Sequence, residues 1–180
     1  PYEILKDYLP LIGADINQTL HSMVNFDIEF MFHDESQVAD QKKRQLKSNA
    51  GCVNINICHP QTNPYNIQLG SGFEKFIVGL AIRMTLGQIS LTSKPNFLII
   101  DEGWSCLDDD HKTELPAIMS YIKNQYEHVI VISHLDDLKN QADYIININK
   151  NGIYSHVNNI GVQSAEKVSN RKSKKKIIEI

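Results

Sequence analysis

The chain has no apolar run approaching the roughly 18–20 residues that a membrane-crossing helix needs, so no helical span is expected in it. Its three cysteines, Cys52, Cys58 and Cys106, are an odd number without a Cys-x-x-Cys pair. That pattern gives neither a disulfide framework nor a zinc knuckle, and the expectation is a reduced intracellular protein, cytoplasmic or nuclear. Cys58-His59 reads either as two metal ligands or as a strand-end Cys beside a loop His. The sequence opens Pro1-Tyr2-Glu3, with neither an initiator Met nor a signal peptide, and is expected to be a piece of a longer polypeptide. It contains no internal repeat. It also contains no Gly-x-x-x-x-Gly-Lys-Ser/Thr, so the loop that cradles nucleotide phosphates is missing.

What is present suits a folded lobe. Hydrophobic residues are 42% of 180, too many for a disordered chain. The net charge of −3 hides an asymmetry: residues 166–180 carry six Lys or Arg and two Glu, leaving 12 basic against 19 acidic groups elsewhere. The basic end reads as a phosphate contact, an import signal or a solvated, flexible tail over residues 161–180.

Apolar Leu5, Leu9, Ile12, Ile16, Leu20 and Val24 recur at three- and four-residue steps. They predict a helix over residues 3–24, broken or kinked at Pro10 and Gly13. Phe26, Ile28, Phe30 and Phe32 fall on alternate positions, a half-buried strand, and Val53, Ile55 and Ile57 make a second. Two prolines and two asparagines between His59 and Gln68 read as a loop. From Ser71 the period becomes helical, with Phe73, Phe76, Ile77, Leu80, Ala81 and Met84 on one face. Ser71 and Glu74 have the spacing of a capping box at its start. Phe97-Leu98-Ile99-Ile100 is continuously apolar and predicts a strand buried on both faces. A helix over roughly 110–126 follows, in which Pro116 sits awkwardly unless the helix starts late. His128–Ile132 is a second buried strand. Residues 144–157 read as a hairpin turning at Asn151-Gly152. The fold class is therefore α/β, a mostly parallel sheet flanked by helices with antiparallel strands at its start and end, filling residues 25–160.

The chemistry concentrates at four places. An apolar strand ending in Asp101-Glu102 puts two carboxylates at the carboxyl edge of a sheet, where α/β proteins bind ligands. Adjacent strand residues face opposite sides, so the two carboxylates take different tasks: one suits Mg²⁺ held through water, the other an attacking water. Ser71-Gly72 stands at a helix N-terminus, where backbone N–H groups favour an anion and Gly72 leaves room for it. Leu107-Asp108 follows the carboxylate pair closely. Ser133-His134 ends the next buried strand, close to Asp101 and Glu102 if the two strands pair.

In this order and spacing the four resemble the C-terminal half of an ATP-binding-cassette ATPase head, a P-loop NTPase fold. Residues 71–76 look like its signature motif, Phe97–Glu102 like Walker B, Ser105–Asp108 like the D-loop and Ser133-His134 like the switch-histidine loop. Glu74-Lys75-Phe76 resembles the SMC-like repair branch, the large subunit of SbcCD-type nuclease complexes. The resemblance covers residues 66–150 well. Phe73 departs from it, standing where the family has a second Gly. The resemblance implies an ATPase using ATP and Mg²⁺. Asp101 would hold the metal, Glu102 would polarise the hydrolytic water and His134 would contact the γ-phosphate. Ser71, Gly72 and Glu74 would meet ATP on a second copy of the head, with Asp108 at the dimer seam. The partners it implies are the N-terminal half of the same head, that second copy, a nuclease subunit and DNA, with no membrane. Residues 1–24 would continue a coiled coil. An SMC-type DNA-entrapping ATPase and a non-catalytic dimerisation lobe are the other readings.

Overall fold

The computed structural model describes residues 2–33, 52–90, 94–108, 111–162 and 176–179. The chain divides into two compact units, Pro1–Thr85 and Leu86–Ile180.

In the first unit α1 (Tyr2–His21) runs as one helix through Pro10 and Gly13, where a break or a kink is expected from the sequence, and no break occurs. Pro10 is solvent-exposed, and the local cost of its missing N–H is outweighed by the buried residues Ile16 and Leu20 farther along the same helix. Gly13 is buried, and a Cβ there would come within 3.2 Å of the Phe30 ring. The glycine thus lets the following strand lie close to the helix. That strand, β1 (Asp27–His33), pairs antiparallel with β2 (Cys52–Cys58), with Ile28 opposite Ile57. A short β3 (Tyr65–Asn66), inside the stretch predicted as loop, adds to β2 and completes a three-stranded sheet. Asn17 ties α1 to β1: its Nδ2 donates to the Ile28 carbonyl (3.0 Å) and its Oδ1 accepts the Ile28 N–H (2.9 Å). The helix beginning at Ser71 is α2 (Gly72–Ile89), whose Phe73, Ile77, Val78, Leu80, Ala81 and Met84 are buried. Thr19 and Thr85 share a buried hydroxyl–hydroxyl bond of 3.1 Å, so neither lacks a partner in the core.

The second unit contains β4 (Phe97–Asp101), α3 (Leu115–Gln125), β5 (His128–Ile132), α4 (Asp136–Lys139), β6 (Tyr144–Asn151), β7 (Tyr154–Val162) and β8 (Lys176–Glu179). Its sheet has the order β4-β5-β8-β6-β7. The pairs β4/β5, β5/β8 and β8/β6 are parallel and β6/β7 is antiparallel. α3 starts late, as Pro116 requires, after a separate 3₁₀ turn at His111–Thr113. Leu115, Ile118, Met119 and Ile122 form its buried face. Asn151 pairs with Tyr154, so the hairpin turns on Gly152-Ile153, one residue later than predicted. Gly152 takes a φ of +65°, where a side chain would be strained.

Two expectations are corrected here. β4 is not buried on both faces: Phe97 and Ile99 are 51% and 53% exposed and only Ile100 is buried. It ends the strand order, and the face that Phe97 and Ile99 share is left about half exposed. The second concerns the basic tail, expected to be flexible to its end. Lys176–Glu179 is instead a strand between β5 and β6, because Ile177 and Ile178 give that short segment strand character within an otherwise charged stretch. Of the rest of that tail, Gly161 and Val162 end β7, and residues 163–175 and 180 lie outside the described residues.

Candidate functional site

The candidate residues divide between the units. In the second, Asp101 ends β4 opposite Ile132 of β5, and the Glu102 N–H continues the ladder to the Ile132 carbonyl at 2.9 Å. Ser133 and His134 follow directly after Ile132, so the register brings Asp101, Glu102 and His134 to one carboxyl edge of a parallel strand pair. All three side chains are exposed.

Glu102 leaves the strand in the left-handed region, φ 47° and ψ 11°, the one non-glycine residue with positive φ among those described. For a residue with a Cβ this costs roughly 1–2 kcal/mol. Surrounding bonds hold it there: its carbonyl accepts the Ser105 N–H (3.3 Å) and the Ser105 hydroxyl (3.1 Å). These close a 3₁₀ turn, Gly103–Cys106, whose Trp104 is fully buried. Trp104 therefore anchors the turn in the interior and presents no exposed surface. Burial pushes the Cys106 thiol above its ordinary value, so it is not a poised thiolate.

Asp108, exposed, accepts bonds from the His111 N–H (3.1 Å) and His111 Nδ1 (2.5 Å). These bonds hold its carboxyl below the usual carboxylate range and organise the turn before α3. After β5, the Leu135 N–H donates to the Ser133 hydroxyl at 3.2 Å, a local turn that carries the chain past His134 into α4. Lys112 and Asp137 form an ion pair at 3.1 Å between the turn before α3 and α4.

In the first unit Ser71 and Glu74 form the capping box in full. The Glu74 N–H donates to the Ser71 hydroxyl (3.1 Å) and the Ser71 N–H donates to Glu74 Oε2 (2.6 Å). Ser71 and Gly72 are exposed at the helix start. Glu74 is only 8% exposed, and its other oxygen, Oε1, accepts from the Tyr65 hydroxyl (2.6 Å) and His59 Nε2 (2.6 Å). Burial alone would raise the Glu74 carboxyl. The bonds from Tyr65, Ser71 and His59 outweigh it and bring the carboxyl down from 4.5 to about 2. Burial and the same carboxylate push the Tyr65 hydroxyl up to about 12. His59 Nε2 is thereby occupied, which favours the reading of Cys58-His59 as a strand-end Cys beside a structural His. Phe73 is 2% exposed, its ring in the core and not at the mouth of α2.

His59 and Tyr65 were not legible as site residues. They lie in the Pro- and Asn-rich stretch read as loop, and no spacing links them to Glu74. An exposed pair of carboxylates at the end of a parallel strand fits a hydrated Mg²⁺, which keeps several waters and takes one or two protein carboxylates.

No protein-family model matches the chain. It is 64% identical over 178 residues, 99% of its length, to the uncharacterized protein R555 of Acanthamoeba polyphaga mimivirus. It is 34% identical over 87 residues, 48% of its length, to the DNA double-strand break repair Rad50 ATPase of Saccharolobus solfataricus. It spans only 12% and 10% of those two relatives. A solved chain from work on ATP-driven dimerization and DNA-stimulated activation of SMC ATPases superposes with a TM-score of 0.65. That match covers 92% of each chain at 16% identity, and it shows the fold. No helix among the described residues is long and apolar enough to cross a membrane.

Proposed function

We propose, from the premise that this chain is a C-terminal segment of an SMC/Rad50-like ATP-binding-cassette ATPase head, that it carries the hydrolytic half of an ATPase in DNA double-strand-break repair or recombination. The observation that carries the reading is the β4/β5 register, which brings Asp101, Glu102 and His134 to one edge. ATP with Mg²⁺ would supply the phosphoryl group and neutralise part of its charge. Asp101 would hold the ion through water. Glu102, on a backbone that turns away from the sheet, would accept a hydrogen bond from the attacking water and orient it. His134 would contact the γ-phosphate. The phosphate-binding loop would come from the N-terminal half of the head, which the chain lacks in sequence.

Ser71 and Gly72 would meet ATP bound to a second copy, in a head-to-tail dimer with Asp108 at the seam. Glu74 would contribute to that contact through Ser71. The buried Phe73 ring leaves the approach to Gly72 without a bulky obstacle, which weakens the reading as a non-catalytic lobe. DNA and a nuclease subunit would be the partners of an intracellular complex. A second reading, an SMC-type head that entraps DNA with hydrolysis as a gate, draws support from the fold match to SMC ATPases. A nuclease subunit that co-purifies with the complete polypeptide separates the two.

The test is steady-state ATP turnover by the complete polypeptide carrying Glu102→Gln. Turnover should fall about 10²–10³-fold while ATP-dependent association of heads persists. Unchanged turnover would sink the ATPase reading.

A further inference from the structure

The Ser71–Glu74 box decides which hydrogen-bonding role Ser71 has left to offer. A hydroxyl has one hydrogen and two lone pairs. The Glu74 N–H occupies an acceptor site on the Ser71 oxygen. The Ser71 backbone N–H is occupied by Glu74 Oε2. What Ser71 can still give an incoming group is the hydroxyl hydrogen, and phosphate oxygens only accept.

This arrangement depends on a carboxylate held where carboxylates are not stable alone. The Glu74 side chain is 11% exposed, and a buried anion served by one N–H would do better turned out into water. Tyr65 and His59 prevent that by donating to Oε1, both at 2.6 Å. Their own places are set from the sheet side. The His59 ring lies 5.0 Å from Phe26 and is stacked 6.0 Å from Tyr65, while Tyr65 pairs through its backbone with Ile57. Gly70 completes the cradle. A Cβ there would lie 2.9 Å from Ile57 Cδ1 and 3.1 Å from Glu74 Oε2, so any side chain would push against the carboxylate. The backbone of Gly70 is ordinary, φ −65°, and glycine is required there for space alone.

We propose that His59 and Tyr65 are positioning residues for the start of α2: by holding the Glu74 carboxylate against the Ser71 N–H, they present the Ser71 hydroxyl as a donor to a phosphate oxygen of ATP on a second head. The inference rests on the ATPase reading above and adds to it two residues from outside the motif set. It places the control of the contact between heads in the small antiparallel sheet of the first unit, whereas the hydrolytic carboxylates belong to the second.

The experiment uses the complete polypeptide with Glu102→Gln as parent, so that ATP-bound dimers accumulate. Dimerisation is titrated against ATP by light scattering. Binding of a fluorescent ATP analogue is measured at protein concentrations where heads are monomeric. Tyr65→Phe keeps the ring and removes one donor, and should weaken dimerisation about tenfold; combined with His59→Ala the loss should approach about a hundredfold. Monomer binding of the analogue should not change in either. His59→Gln, whose amide can donate to the carboxylate, should recover most of the loss in place of His59→Ala. If both variants dimerise like the parent and only melt at lower temperature, His59 and Tyr65 are structural caps and the proposal is wrong. If the parent itself does not dimerise with ATP, the ATPase reading fails and takes this inference with it, an outcome distinct from the first.

Discussion

The two units treat their polar groups in opposite ways. In the first, the chemistry-bearing carboxylate is inside: Glu74 is buried, three donors converge on it, and its carboxyl is drawn down to about 2. Even the buried hydroxyls of Thr19 and Thr85 answer one another. In the second, Asp101, Glu102 and His134 stand exposed on a sheet edge, and the tension is in the backbone, at the left-handed Glu102. A group that only has to present a neighbour can be locked by burial. A group that, on the proposed reading, would hold a metal or a water would have to stay open, and the position of Glu102 is fixed through the main chain instead. The Glu102 N–H and carbonyl are both bonded, which holds the residue in place without covering its carboxylate.

The sharpest way to break this contrast is at β8. Deleting Lys176–Glu179 removes the strand that joins β5 to β6, at about 1 kcal/mol per lost ladder bond. Hydrogen exchange should show β5 and β6 losing protection while β1 and β2 keep theirs. Equal loss in both sheets would mean the units do not respond separately. Acid should then act on the first unit. The Glu74 carboxyl lies below its unfolded value, so its contribution is complete above about pH 4.5 and is lost as pH falls towards about 2. The loss should be on the order of 3 kcal/mol in denaturant titrations monitored in the first unit, and Glu74→Gln should abolish that pH dependence. The smallest effect belongs to Glu102→Gly. Relieving the positive φ should stabilise the second unit by up to about 1 kcal/mol in a thermal melt, even as turnover is lost. A destabilised variant would mean that the Glu102 side chain contributes more to folding than its backbone costs.

Much of this was legible in the residues because it depends on local pattern. Alternation at Ile28 and Ile57 gave the two first strands, and the Ser71–Glu74 spacing gave a capping box that forms in both directions. The Asp101-Glu102 strand end and the following Ser133-His134 were recognisable for the same reason. What escaped depends on distant groups. Pro10 marks a break only if packing farther along the helix is left out of account. Phe97 and Ile99 look like core because apolarity does not record which face has a neighbour. Ile177 and Ile178 sit in a basic run, and nothing local tells that β5 and β6 leave a gap for them. His59 and Tyr65 reach Glu74 across 15 and nine residues of sequence, a distance no motif spans.

The order of strands in the second sheet also sets a schedule. β5 and β6 are neighbours in sequence but not in the sheet, and the strand that joins them comes after both. During synthesis the β6–β7 hairpin can close as soon as it emerges, but it cannot dock beside β5 until Lys176–Glu179 has been made. At ~5–20 residues per second that is a wait on the order of seconds, during which two strand edges stand open. Nascent chains would be most vulnerable to wrong pairing in that interval, and holding factors at the ribosome would have most to do there.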